Sequence, residues 1–168
     1  MEYIYIGKIV NTHGIKGEVR ILSNFDKKEI IFKKDFKIYI GNSKEEHKIN
    51  SYRKHKNFDM ITLEDINDIN VVLKYKGSKV YINRDDIKLN NNEYLLDDLL
   101  NLKIIYDNKE YGKVLDIFDN NGNTLLYISF EKNYYIPYNE VYIKEVDLKN
   151  KTIHVNNVKD LIIWDLIF

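Results

Sequence analysis

The sequence predicts an all-β protein built from two tandem small β-barrels with a few short helices. Three observations predict it. Apolar and polar residues alternate with a period of two along much of the 168-residue chain, as in strands with one buried face. Turn-forming Asn, Asp and Gly separate these short stretches, as they do in barrels and sandwiches. A polar segment, 84–92, ends in three consecutive Asn residues. It places a domain boundary near Leu89 or Asn90, so that 1–89 and 90–168 each read as one domain.

In the first half, Tyr3, Tyr5 and Gly7 alternate with Ile4, Ile6 and Lys8, and Glu18, Arg20 and Leu22 with Val19, Ile21 and Ser23. Residues 36–40, 49–54 and 58–63 read as strands in the same way. Residues 26–32 suit one or two helical turns. Residues 67–75 suit a helix, because Ile69, Val72 and Leu73 share a face and Gly77 is placed to end it. A closing strand follows at 79–82. The second half opens with 93–100 and returns to strands at 103–106 and 112–118. Asn121-Gly122 is a strong hairpin signal, since that pair accepts the positive φ angles of a two-residue turn. Strands at 125–130 and 134–137 follow, the latter closed by the only proline, Pro137. Residues 142–147 and 152–155 form a further hairpin around 148–151. The tail, 158–168, reads as a short helix packing Leu161, Ile162 and Leu166 onto the barrel.

Composition excludes several classes. There is no cysteine, which removes disulfides, thiolate catalysis and Cys-based zinc sites. No apolar run reaches the roughly 18 to 20 residues of a membrane span, and the first ten residues do not read as a signal peptide. A cytoplasmic protein is expected. Net charge is zero, but it is unevenly spread. Residues 1–89 hold 18 Lys and Arg against 13 Asp and Glu, and residues 90–168 hold 8 against 13. A basic half suits phosphate and an acidic half suits a basic protein. Solvated charge on both halves explains the same numbers.

Residues 7–21 read GKIVNTHGIKGEVRI. A strand ends, a loop carries His13, Gly14, Lys16 and Gly17, and a strand resumes through Glu18 and Arg20. Two glycines three apart allow a sharp turn and close backbone approach. The segment lacks the Gly-Lys-Ser/Thr ending of a phosphate-binding P-loop. It closely resembles the opening signature of the RimM family of ribosome maturation factors. Gly7, Lys8, Ile9, His13, Gly14, Ile15, Lys16, Gly17, Glu18, Val19 and Arg20 carry the match. Further on, 93–99 resembles the start of that family's second domain, a PRC barrel. Tyr111, Gly112, Lys113 and Val114 resemble a later strand of it, as do Ile136, Pro137 and Tyr138. Tyr94 keeps an aromatic position of the family, while Leu95 and Leu96 stand where further aromatics are usual.

The resemblance implies a non-enzymatic assembly chaperone of the small ribosomal subunit that needs no cofactor. It would bind the immature subunit head, touching an S19-family ribosomal protein and 16S rRNA, and aid rRNA processing. A monomer is expected. Ribosome-binding candidates are His13, Gly14, Lys16, Gly17, Arg20, Tyr94, Leu95, Leu96 and Asp98. Arg53, Lys54 and Lys56, lying among aromatic residues, are RNA-contact candidates. The bland reading of these lysines and rings is a solvated barrel with an aromatic wall, and it suits most of them individually. Two rival functions remain. An RNA-modifying enzyme would need a cofactor pocket or convergent acid–base groups, neither of which the sequence displays. A PRC-barrel scaffold binding another protein would need no RNA.

Overall fold

In the computed structural model, which describes residues 1–162, the first half forms β1 (Tyr3–His13), β2 (Glu18–Leu22), β3 (Lys37–Ile40), β4 (Glu45–His55), β5 (Phe58–Leu63) and β6 (Lys79–Asn83). These strands pair antiparallel and close into a barrel in the order β1-β2-β5-β4-β3-β6. Closure satisfies the backbone groups that an open sheet edge would leave exposed. Alternation sorts the side chains: Ile4, Ile6, Ile9, Val19, Ile21, Ile38, Ile61, Val80 and Ile82 are buried, while Tyr3 and Tyr5 remain exposed. Each such aliphatic burial contributes about 1.5–3 kcal/mol.

Strand β1 serves two neighbours by bending. Its register shifts between Tyr5 and Gly7 against β6, and between Ile9 and Asn11 against β2. Such bulges increase local twist and help a small sheet close. At the first of them, a Cβ on Gly7 would lie 2.5 Å from the Leu22 carbonyl oxygen, so only glycine lets the strands approach this closely.

Two short helices accompany the barrel. Helix α1 (Lys28–Ile31) buries Ile31, and Phe32 follows it inward. Helix α2 (Ile69–Val72) continues as a 3-10 turn at Leu73–Tyr75 and buries Val72 and Tyr75. The helix expected over 67–75 therefore starts later, because the Asp68 carboxylate accepts the Asn70 amide and caps its first turn. Gly77, at φ +85, ends the segment. Strand β4 is longer than expected, since 45–48 pairs with β3. Asp59, fully buried, meets Lys28 Nζ and the Tyr52 hydroxyl, each at 2.7 Å.

The second half forms β7 (Lys103–Tyr106), β8 (Lys109–Asn120), β9 (Asn123–Ser129), β10 (Tyr134–Pro137), β11 (Ile143–Asp147) and β12 (Thr152–Val155). The sheet order is β10-β9-β8-β7-β12-β11. Strands β12 and β7 pair in parallel, and Thr152 lies opposite Lys103. Every strand feeds one core. Ile104, Val114, Leu126, Ile128, Ile136 and Ile153 are buried in it, and Ile143 and Val146 of β11 pack against it. The sheet is thus rolled around a single interior. Asn121 and Gly122 adopt φ +52 and +87, the two-residue turn that the sequence predicts. Strand β8 starts at Lys109, earlier than expected, because Asp107 and Asn108 also adopt positive φ and form a second tight turn. Helix α3 (Lys159–Ile162) falls within the stretch 158–168 read as a tail helix. Leu166 lies outside the described residues.

The chain divides into two compact units between Glu93 and Tyr94. Among the described residues, no helix is long and apolar enough to cross a membrane.

Candidate functional site

The glycine loop joins β1 to β2 and is held by the start of α2. The Gly17 amide donates to the Gly14 carbonyl at 3.4 Å, and the Ile69 amide of α2 donates to the Ile15 carbonyl at 3.1 Å. Gly17 is buried at φ +83, where a Cβ would lie 3.1 Å from the Asp68 carbonyl oxygen. Gly14 has φ +74 with open space beside it. The loop is therefore clamped at Gly17 and presents Gly14, Ile15 and Lys16 outward, Ile15 being 83% exposed. Sequence alone gave it no such prominence.

Beside the loop, the outer face of β2, β5 and β4 carries a charged cluster. Arg20 reaches His13 Nδ1 at 3.1 Å, and its guanidinium lies 5.6 Å from the centre of the Phe58 ring. Its Nε is buried without a hydrogen-bond partner among the described residues. Arg53 makes a two-pronged contact with Glu18, at 2.9 and 2.6 Å. Those bonds hold the Glu18 carboxyl below its ordinary range, against the opposing effect of burial, and His13 and His55 add to the lowering. Arg53 and His13 thus act on one carboxylate, and Arg20 joins the cluster through His13. Arg53 is held in place by Glu18, whereas Lys54 and Lys56 are exposed at the β4–β5 turn.

In the second unit, Tyr94 precedes a 3-10 turn at Leu96–Leu99. The Asp98 carboxylate accepts the Leu95 amide at 2.9 Å, which caps that turn. Leu95 is fully buried and presents no surface, Leu96 is half-buried and packs on the core, and Tyr94 is half-buried. The Tyr94 and Tyr138 hydroxyls are hydrogen-bonded to each other. They line a cleft of about 350 Å³ whose other walls include Glu140, Ile143, Lys144 and Glu145. The cleft thus combines aromatic rings with polar tips, two carboxylates and one ammonium group. Tyr138 and the two glutamates reach this cleft from 40 or more positions away in the chain, so spacing gives no sign of them.

Fold and surfaces define a two-unit, all-β protein: the first unit presents a glycine loop beside Arg20 and Arg53, and the second a tyrosine-lined cleft with two glutamates and a lysine. Residues 4–87 match the RimM N-terminal domain, and residues 91–162 match the PRC-barrel domain. The ribosome maturation factor RimM of Staphylococcus haemolyticus is 39% identical over 164 residues, covering 95% of this chain and 98% of its own. That of Staphylococcus aureus strain NCTC 8325 is 37% identical with the same coverage. A solved RimM from Pseudomonas aeruginosa aligns over 92% of this chain and 97% of its own, at 19% identity and a TM-score of 0.42. The chain belongs to the RimM family.

Proposed function

We propose that this protein is a maturation factor for the small ribosomal subunit, acting by binding and not by catalysis. The observation that carries the reading is likeness across nearly the whole chain to relatives named ribosome maturation factor, over 95% of this sequence and 98% of theirs. In this reading the loop at His13, Gly14, Lys16 and Gly17, with Arg20, faces 16S rRNA. The cleft at Tyr94 and Tyr138 receives basic protein at the subunit head, an S19-family ribosomal protein. Glu140 and Glu145 supply the complementary charge, outweighing Lys144 in the same wall. Differential affinity does the work: a factor that binds the immature head better than the mature one shifts that population and leaves as the mature surface forms. A monomer in the cytoplasm suffices for this role.

Sedimentation of cell extract on a sucrose gradient tests it. The protein should comigrate with free small subunits and be absent from complete ribosomes. Its affinity for small subunits should fall steeply with salt, as phosphate contacts require. Recovery only at the top of a low-salt gradient, with immature subunits present, would overturn the assignment.

A further inference from the structure

The wall of the first barrel built by β1, β6 and β3 carries aromatic residues on its outer side. Register sets them side by side: Tyr5 lies opposite Tyr81, and Tyr81 opposite Tyr39. Tyr3 stands two residues along β1 from Tyr5. The rings touch edge to face, with centroids 5.1 Å apart for Tyr3 and Tyr39, 5.9 Å for Tyr5 and Tyr81, and 6.5 Å for Tyr3 and Tyr81. Their inward neighbours, Ile4, Ile6, Ile38, Ile40, Val80 and Ile82, already fill the barrel. Of the four rings, Tyr39 is buried and Tyr81 half-buried, while Tyr3 and Tyr5, not needed for the core, are 37% and 53% exposed.

Lysines sit on these rings. Lys44 Nζ lies 4.1 Å from the centre of Tyr81 and 5.6 Å from that of Tyr3, and Lys79 Nζ lies 5.9 Å from that of Tyr5. Neither lysine has an ion-pair partner among the described residues. Lys44 adopts φ +55 in the turn after β3, a conformation costing a non-glycine residue about 1 kcal/mol. That turn brings its ammonium over the Tyr81 ring. Carboxylates stand at the Tyr39 end of the patch: Glu46 accepts the Tyr39 hydroxyl at 3.3 Å and lies 3.9 Å from Lys37, and burial, followed by the charges of Glu46 and Asp86, raises that hydroxyl above its ordinary value.

Exposed rings flanked by unpaired cations match the chemistry of an unpaired polynucleotide, whose bases stack on aromatic faces while its phosphates meet ammonium groups. A basic protein would be repelled by the lysines. We propose that Tyr5, Tyr3 and Tyr81, with Lys44 and Lys79, form a binding platform for single-stranded RNA. It lies on a different wall from the Arg20 and Arg53 cluster, which occupies β2, β5 and β4. The proposal deepens the ribosomal reading and rests on it only for the source of the strand.

Fluorescence anisotropy with the full chain and a labelled oligouridylate of about twelve nucleotides reads binding directly. Tyr5→Thr, a strand-forming substitution at an exposed position, should weaken binding about tenfold, and Tyr5→Phe should restore it. The double variant Lys44→Gln, Lys79→Gln should lower the slope of log affinity against log salt by about 1.4. Thermal melts of each variant check that the barrel is intact. Equal affinity of folded wild type and folded Tyr5→Thr overturns the proposal, as does failure of the wild type to bind at low salt. Oligouridylate binding without comigration on gradients would overturn the ribosomal reading and leave the platform standing. Comigration without oligouridylate binding would do the reverse.

Discussion

At the scale of single residues, three tyrosines stand out by what their hydroxyl groups are bound to. Tyr52 donates to buried Asp59, and Tyr75 donates to Glu45 at 2.9 Å. Burial, and then the partner carboxylate, pushes each hydroxyl up to about 12. Tyr134, buried and bonded to the Tyr111 carbonyl at 2.6 Å, is pushed higher still, chiefly by burial. A raised folded-state value means the neutral form is favoured by folding. Its stabilising effect is complete below the ordinary value of 10.0 and is lost as pH rises towards about 12. An ultraviolet pH titration should therefore show a late-ionising class of tyrosines, and Tyr52→Phe should remove one member of it. A single transition near the ordinary value would contradict these environments.

At the scale of elements, the clamp between the glycine loop and α2 makes two superficially equal glycines unequal. Gly14→Ala incurs only the left-handed backbone penalty, about 1 kcal/mol. Gly17→Ala adds a contact 3.1 Å from the Asp68 carbonyl and should cost about 2–3 kcal/mol. Urea denaturation compares them, and equal midpoints would mean that the loop is not pinned. The sequence made the strands legible because alternation is local, and it made the Asn121-Gly122 turn legible because the residue types name the geometry. The turn at Asp107 and Asn108 was harder to read, since no glycine marks it. Parallel pairing of β12 with β7 leaves no periodic trace at all. The same limit applied to the sites. Residues 13–17 stand out as a motif, whereas the Glu18 partner of Arg53 is 35 positions away. The tyrosine platform becomes visible only when three strands are placed in register.

At the scale of the whole molecule, each unit owns its interior. The first barrel closes on itself, and the second unit's strands all contribute to their own core. A chain ending at Glu93 should therefore fold alone and melt cooperatively, as two-state domains of this size do. Circular dichroism melts and a dispersed amide NMR spectrum would establish this, while a broad, non-cooperative melt would show that the unit depends on the rest of the chain.

The parallel pair also sets an order of events during synthesis. The first barrel has all its strands once Asn83 is made. Strand β7 must instead wait for β12, because Lys103 meets Thr152, 49 positions later. The hairpins of β8, β9 and β10 can assemble meanwhile, but the interior stays unsealed until β12 has been made. Long-range closure of this kind is slow and leaves apolar surface exposed. A nascent chain of this protein thus passes through a stage with one finished domain and one open one, when the C-terminal half is most vulnerable to aggregation and proteolysis.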